Sequence, residues 1–455
     1  MVKILSHTPE DTARGVIDRC ADCDVCRHLM DINCLLFPEL FRLFDREKET
    51  GRVIERDEIK KMIDLCNFCA LCPCPNIRSE IMRAKAEFVD QDGLKKGVRL
   101  LEDVALVGKI CGTFPGMANA LLGSAFTGKT IKRALGIHPE RKLPKFPRQS
   151  FQAWAENRGL DKRPRTREPR KVAYFVGCTA SYLYPQVAKA AVAFLEASGI
   201  SVWFPPQQCC GMPAYLEGDK KRALKFAQAG LEQLCDALDD GFDIVTSCPT
   251  CGFMFRNLLK SGAYYAKEYQ TAIGAAPDLI LTPKSENSVD GKPGFFKHKK
   301  AIYGKILVDD GVFADISALK RVKVAEHIFD IGEYVVRIGN NAKHPVNTDH
   351  IGSKMVYFPP CHQRELNMGK PYLKLLRDLY GENVSSIDGD LYCCGMAGIM
   401  GFKQDFHASS RNLGKNLLAA IGQTAPDLIV TDCLSCRLQF EQFTPYAVKH
   451  PVELL

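Results

Sequence analysis

A chain of 455 residues has room for roughly three domains, and its 46% hydrophobic and 25% charged content excludes both a disordered chain and a multi-span membrane protein. The twenty cysteines stand out, and because Met1 to Gly15 has no apolar h-region or small-residue cleavage site, a reducing cytoplasm is expected. There, clustered thiols read as metal sites or redox chemistry rather than as a disulfide scaffold. The net charge of +8 comes from Lys129 to Lys171, where 14 Lys or Arg face Glu140, Glu156, Asp161 and Glu168, a net of +10 that leaves the rest at −2. Nucleic-acid binding is not expected, because prolines interrupt the run and few aromatics interleave it. It reads as a solvated linker or as a patch for an acidic partner or anionic lipid.

In chain order, residues 1–93 are expected to form a helical domain punctuated by eight cysteines. Cys20, Cys23 and Cys26, and again Cys66, Cys69 and Cys72, give C-x2-C-x2-C, a spacing at which three thiolates wrap one face of an iron cube. Zinc is the rival, but structural zinc draws its ligands in pairs, and two triplets with extra cysteines suit two [4Fe-4S] cubanes better. Ferredoxins of the C-x2-C-x2-C-x3-C-P type lend their last cysteine to the other cluster. This chain departs from that spacing, since Cys34 lies late and Cys74-Pro75 early. Keeping the crossed rule assigns Cys20, Cys23, Cys26 and Cys74 to one cube and Cys66, Cys69, Cys72 and Cys34 to the other.

Residues 94–170 read as a helical and basic linker. Leu94, Val98, Leu101, Val104 and Ala105 recur at helical spacing, and Phe114 to Phe126 is rich in small and apolar residues. Lys109 and Pro115 break any run long enough to span a bilayer. Core packing is one reading of the stretch; an amphipathic surface for a membrane or partner is the other. Lys129, Lys132, Arg133, Arg141, Lys142 and Lys145 are expected to be exposed and to steer docking. Gly123 to Thr130 matches the P-loop pattern G-x4-G-K-[ST] but lacks a strand before it, and no G-x-G-x-x-G follows a strand, so no flavin or nucleotide is expected in this chain.

Residues 171–353 and 354–455 are an internal repeat. Lys171 to Cys178 matches Lys354 to Cys361, Cys209-Cys210-Gly211-Met212 matches Cys393-Cys394-Gly395-Met396, and Asp243 to Cys251 matches Asp427 to Cys436, at offsets of 183 to 185. Each unit alternates strand and helix: in the first, helices over Gln186 to Ala197 and Lys221 to Leu238, strands at Val202 to Phe204 and Ile244 to Thr246. Every cysteine group then follows the carboxyl end of a parallel strand, which brings distant thiols to one sheet edge. An insertion over Phe253 to Ser353 carries a polar stretch (Pro283 to Pro293) and a predicted helix at Val324 to Ile338. Adjacent cysteines such as Cys209-Cys210 make a strained disulfide ring and argue for metal. Cys111 and Cys235 are left over and are expected to be small buried apolar residues.

On these motifs the sequence resembles the cysteine-rich CCG-domain iron–sulfur family. That family includes the B and D subunits of heterodisulfide reductase, the iron–sulfur subunit of glycolate oxidase and the C subunit of anaerobic glycerol-3-phosphate dehydrogenase. The order of ferredoxin part, linker and two repeats resembles the last of these, and Gly136 to Phe146 looks like its linker. The resemblance implies an α/β chain: a helical two-cluster ferredoxin-like domain followed by duplicated α/β CCG domains. It implies noncubane [4Fe-4S] clusters on Cys178, Cys209, Cys210, Cys248 and Cys251, and on Cys361, Cys393, Cys394, Cys433 and Cys436, with a cubane on four of the five as the alternative in either repeat. Two functions stay open. One is an electron-transfer subunit between a partner flavoprotein dehydrogenase and a quinone or other acceptor, cytoplasmic or peripheral on the inner membrane face. The other is an enzyme that reduces a disulfide at a noncubane cluster, with Cys393 and Cys394 as its catalytic pair. His362, beside Cys361, reads as a structural histidine bonded to backbone, with a proton donor near the cluster as the alternative.

Overall fold

The computed structural model describes residues 8–31, 33–69, 71–72, 74–164, 170–284, 294–339, 348–387 and 392–455. The first part is a helical cluster: Pro9–Ala21, Asp24–Leu29, Leu36–Thr50, Arg56–Asp64 and Pro75–Asp92. Ala13, Val16, Ile17 and Cys20 follow helical spacing and pack on Leu40, Met62, Ile81 and Phe88. A reciprocal cap between Thr8 and Asp11 starts the first helix. Arg19 pairs with Glu80, and Thr12 bonds Glu87 at 2.6 Å, so the first and last helices run antiparallel. That arrangement sets the start of Pro75–Asp92 beside the end of Pro9–Ala21.

The connecting region is also helical, with Lys96–Leu101, Val104–Thr113, Pro115–Gly123, Thr127–Ala134 and Phe151–Asn157. Gly128 of the P-loop-like sequence sits inside a helix, and the segment before it is the helix Pro115–Gly123, so no strand delivers that loop.

The two repeats form the α/β part. Strands β1 (Lys171–Phe175), β2 (Ser201–Trp203) and β3 (Asp243–Thr246) are followed by an antiparallel hairpin of β4 (Leu279–Pro283) and β5 (Phe295–Lys299), then by β6 (Ile328–Asp330). The second repeat contributes β7 (Met355–Tyr357), β8 (Val384–Ser386), β9 (Leu428–Val430) and β10 (Ala447–Lys449). The sheets read β2-β1-β3-β6 and β10-β9-β7-β8, and every pairing within them is parallel. Helices on the crossovers bury near-continuous apolar strands such as Val172 to Phe175 and Leu428 to Val430.

The predicted helix at Val324 to Ile338 is corrected: Ala318–His327 ends at β6, and a new helix, Ile331–Arg337, starts on an Asp330 cap. Ile328-Phe329-Asp330 supplies the fourth strand of the first sheet instead. Of the polar stretch Pro283 to Pro293, residues 285–293 lie outside the described residues.

The sheets share one core, in which Val172, Tyr174 and Val245 join Val356, Tyr357 and Ile429. Matched contacts record the duplication: the Tyr174 hydroxyl lies 2.7 Å from Ser247 Oγ, and the Tyr357 hydroxyl donates to Asp432 at 3.0 Å. His450 Nε2 lies 3.0 Å from the Ser247 carbonyl and ties the second repeat to the first.

Candidate metal centres

Most cysteines of the helical part stand near a helix terminus or in a loop, and Cys26 lies in the short helix Asp24–Leu29. Cys20 lies near the end of one helix, Cys23 caps the next, and Cys74 caps Pro75–Asp92, which the antiparallel packing carries to Cys20. Burial pushes the Cys20 thiol up to about 11, with Cys23 and Cys74 adding to the rise. Burial likewise pushes Cys26 up to about 12, with Cys23, Cys20 and Cys74 contributing. Those four thiols share one neighbourhood. Cys34 is pushed up to about 11 by burial with Cys66 adding, and Cys72 is raised by burial with Cys66 and Cys34 adding. The fold thus gathers Cys74 with the first triplet and Cys34 with the second.

Phe68, between Cys66 and Cys69, has φ of 52°. A side chain there costs roughly 1–2 kcal/mol. Its ring packs 5.4 Å from Tyr215 and 6.1 Å from Phe253, which wedges the second triplet against the first repeat.

In the repeats, Cys178 and Cys361 follow β1 and β7, Cys209-Cys210 and Cys393-Cys394 follow β2 and β8, and Cys248 and Cys433 cap short helices after β3 and β9. Cys178 Sγ lies 3.7 Å from Cys209 Sγ, and Cys436 Sγ lies 3.0 Å from Cys394 Sγ. The glycine after each pair has φ of 94° (Gly211) or 85° (Gly395). A Cβ on Gly395 would fall 2.1 Å from the Ser410 carbonyl oxygen, so the third letter of Cys-Cys-Gly is fixed by both φ and space. Hydrogen bonds from Cys209 and Cys251 draw Cys210 down to about 6, and those from Cys393 and Cys436 draw Cys394 well down, while Cys178, Cys251, Cys393 and Cys436 are raised. Cys248 is drawn down as well, by a hydrogen bond from Cys251, so the first set has two thiols lowered by their neighbours and the second has Cys394.

The sets also adjoin one another. Asn67 Nδ2 donates to Cys393 Sγ at 3.8 Å, and Cys69, raised chiefly by burial, has Cys34, Cys361 and Cys72 as neighbours that add to the rise. Cys72 feels Cys26, and Cys248 feels Cys433. The second triplet thus stands between the first triplet and the second repeat, and the repeats face each other. A cavity of about 510 Å³ opens at this junction, lined in part by Phe68, Arg78, Phe253, Asn257, Arg364 and Asn367.

Several other expectations are corrected here. His362 bonds the Thr250 hydroxyl at 3.0 Å rather than backbone alone and stacks on Phe253 at 4.9 Å; burial pushes it down to about 4, so it is neutral at physiological pH. Cys111 is only partly buried, whereas Cys235 is buried as expected. Arg141, expected on the surface with Lys129 and Lys145, has no exposed area. His138, Glu140 and His407 approach one another, but the two imidazoles stack at 3.9 Å with planes 5° apart. In-plane nitrogen lone pairs on stacked parallel rings cannot converge on one ion, so this group is a packing contact.

A family model described as the cysteine-rich domain, CCG, matches residues 172–256 and 355–441, the two segments that carry these five-thiol sets. The chain carries two CCG domains. It is also similar to the C subunit of anaerobic glycerol-3-phosphate dehydrogenase of Escherichia coli strain K12, 26% identical over 379 residues, which cover 82% of this chain and 80% of the relative. Lactate utilization protein A of Bacillus licheniformis is 23% identical over 299 residues, 63% of this chain and 98% of the relative. The protein of that name from Bacillus subtilis is 24% identical over 242 residues, 51% of this chain and 75% of the relative.

The donor sets of the CCG domains fit a sulfur-ligated iron centre. All twenty cysteines are free. Each CCG set offers five soft sulfur donors at one sheet edge, one more than tetrahedral zinc takes.

Proposed function

We propose that the chain is an iron–sulfur electron-transfer subunit of a multi-subunit oxidoreductase, which takes electrons from a partner flavoprotein dehydrogenase and passes them to a quinone. The observation that carries this reading is the adjacency of the thiol sets: Asn67 of the second triplet bonds Cys393 Sγ at 3.8 Å, and Phe68 packs on Tyr215 and Phe253 of the first CCG domain. In this assignment Cys20, Cys23, Cys26 and Cys74 hold one cubane, Cys34, Cys66, Cys69 and Cys72 the second, and the five-thiol sets of the CCG domains hold one noncubane cluster each. When bound, these groups supply one-electron reduction and reoxidation. The protein supplies burial and spacing: Phe68 and Asn67 seat the second triplet against both CCG domains, and His362 stays neutral between them. The relative named as a subunit of anaerobic glycerol-3-phosphate dehydrogenase supports a dehydrogenase partner.

The quinone fits a surface that the linker exposes. Leu106, Ile110, Phe114, Met117, Leu121 and Phe126 stand 44–82% exposed. From Val104 to Pro139 the sequence has no Asp or Glu, against Lys109, Lys129, Lys132 and Arg133. Gly108 lets Val104–Thr113 lie close on Tyr182, where an added Cβ would fall 2.4 Å from the Tyr182 Cβ, and so turns the opposite face outward. Among the described residues no single helix is long and apolar enough to cross a membrane; Val104–Thr113 and Pro115–Gly123 qualify only together, and they bend by 107°. An apolar face rimmed by cations suits the plane of an anionic bilayer. Replacing Ile110, Phe114 and Phe126 together with Ser should cut co-sedimentation with phosphatidylglycerol vesicles at least tenfold at low salt; binding equal to wild type would remove the membrane from this reading.

Disulfide reduction is the second reading, favoured by two complete five-thiol sets beside an open cavity. The deciding experiment uses the anaerobically loaded chain with a chemical reductant. Rapid reoxidation by a soluble quinone without turnover of a disulfide panel supports the electron-transfer role; partner-independent disulfide turnover supports the enzyme.

A further inference from the structure

Arg141 is fully buried, yet among the described residues no carboxylate pairs with it. The segment that carries it is clamped to the second CCG domain: His138 N donates to the Phe402 carbonyl at 2.8 Å, Gln404 N to the Gly136 carbonyl at 2.8 Å, and Gln442 Nε2 to the Glu140 carbonyl at 3.1 Å. The guanidinium lies 5.3 Å from the Phe402 ring centroid and 5.7 Å from that of Phe443. Nη2 points at Met396 Sδ, 2.6 Å away, while Nε and Nη1 are buried without a hydrogen-bond partner among the described residues. Two aromatic faces and a thioether do not repay the desolvation of a cation. Met396 stands two residues after Cys394, so this contact sets the guanidinium beside the Cys393-Cys394 pair.

The first CCG domain differs. Arg141 touches Met396 of the second domain, and the hydrogen bonds that clamp its segment go to Phe402, Gln404 and Gln442 of that domain.

Resting on the iron–sulfur reading above, we propose that Arg141 is the buried counter-cation of the group held by the second CCG domain, and that it sets that group's reduction potential above that of the first. A fixed positive charge in a low-dielectric site favours the state carrying the extra electron. Arg141 itself neither gains nor loses an electron or proton; it is a positioning charge. Its effect makes the second domain the preferred resting place of an electron that the partner flavoprotein or a chemical reductant delivers.

The test is an anaerobic redox titration of the full chain followed by electron paramagnetic resonance, with iron measured on each sample. The second-domain signal is assigned as the one missing in Cys394→Ala. Arg141→Met should keep the iron and shift that signal to lower potential by at least tenfold in electron occupancy, about 59 mV for one electron. Arg141→Lys should restore most of the shift, and the other signals should stay in place. An unmoved second-domain signal in fully loaded Arg141→Met overturns the proposal. If Arg141→Met fails to load the second domain, loading by Arg141→Lys supports the counter-cation and equal failure of both overturns it. A wild-type chain without iron and sulfide overturns the underlying reading as well, and is told apart by that measurement alone.

Discussion

Cys394→Ala should abolish electron delivery from the reduced chain to a quinone, by a hundredfold or more, while the cubanes of the helical domain still accept electrons from the partner flavoprotein. Cys394 is the thiol that both Cys393 and Cys436 stabilise as a thiolate, and it lies 3.0 Å from Cys436. Its loss removes the donor that its thiol neighbours draw down. The thiols of the helical domain draw their shifts chiefly from burial and one another, so their sites should load normally. Stopped-flow absorbance separates the two phases, cubane reduction and quinone-driven reoxidation. Cys210→Ala is the informative partner variant. The second triplet adjoins the second CCG domain through Asn67, Cys361 and Cys393, so loss of the first CCG site should slow delivery less than loss of the second if the quinone is served from the second domain. Equal collapse in both variants would place the two domains on one obligatory path.

Stripping iron with a chelator under reducing conditions should lower the melting temperature by roughly 10 °C or more and open the CCG domains to proteolysis near Cys209 and Cys393. Binding that occurs only in the folded state is folding free energy. The thiols that would be left behind are buried or half-buried beyond the ends of β1, β2, β3, β7, β8 and β9, with sulfur pairs as close as 3.0 and 3.7 Å. They carry thiolate character at Cys210 and Cys394 that burial opposes. Readdition of iron and sulfide should restore the melting temperature; a stripped chain as stable as the loaded one would show that packing alone holds the sheet edges.

Much of the fold was legible because the decisive signals are local. Apolar runs ending at cysteine, the Cys-Cys-Gly pairs and an offset near 184 already imply two parallel sheets with thiols along one edge. The strand Ile328–Asp330 was not legible, since three buried residues between two helical stretches leave the apolar periodicity unbroken; only pairing with β3 makes them a strand. The linker's outward face was half legible. Helical spacing gives Leu106, Ile110 and Phe114 a common side, but what covers that side depends on Gly108 docking on Tyr182. The burial of Arg141 is hidden for the same reason. In sequence it belongs to a basic run, and its burial is decided by Phe402 and Phe443, far along the chain. The signals that set it apart are the apolar Ile137 and Phe146 flanking it, both buried.

The central claim, that four thiol sets hold iron–sulfur centres for electron transfer, is tested most directly by iron and acid-labile sulfide per chain in anaerobically purified protein. The account predicts about 16 iron atoms accompanied by sulfide, four at each of four sites, with zinc near zero. About eight iron atoms with zinc making up the difference would contradict the assignment to the CCG domains, and zinc without sulfide would contradict the account altogether.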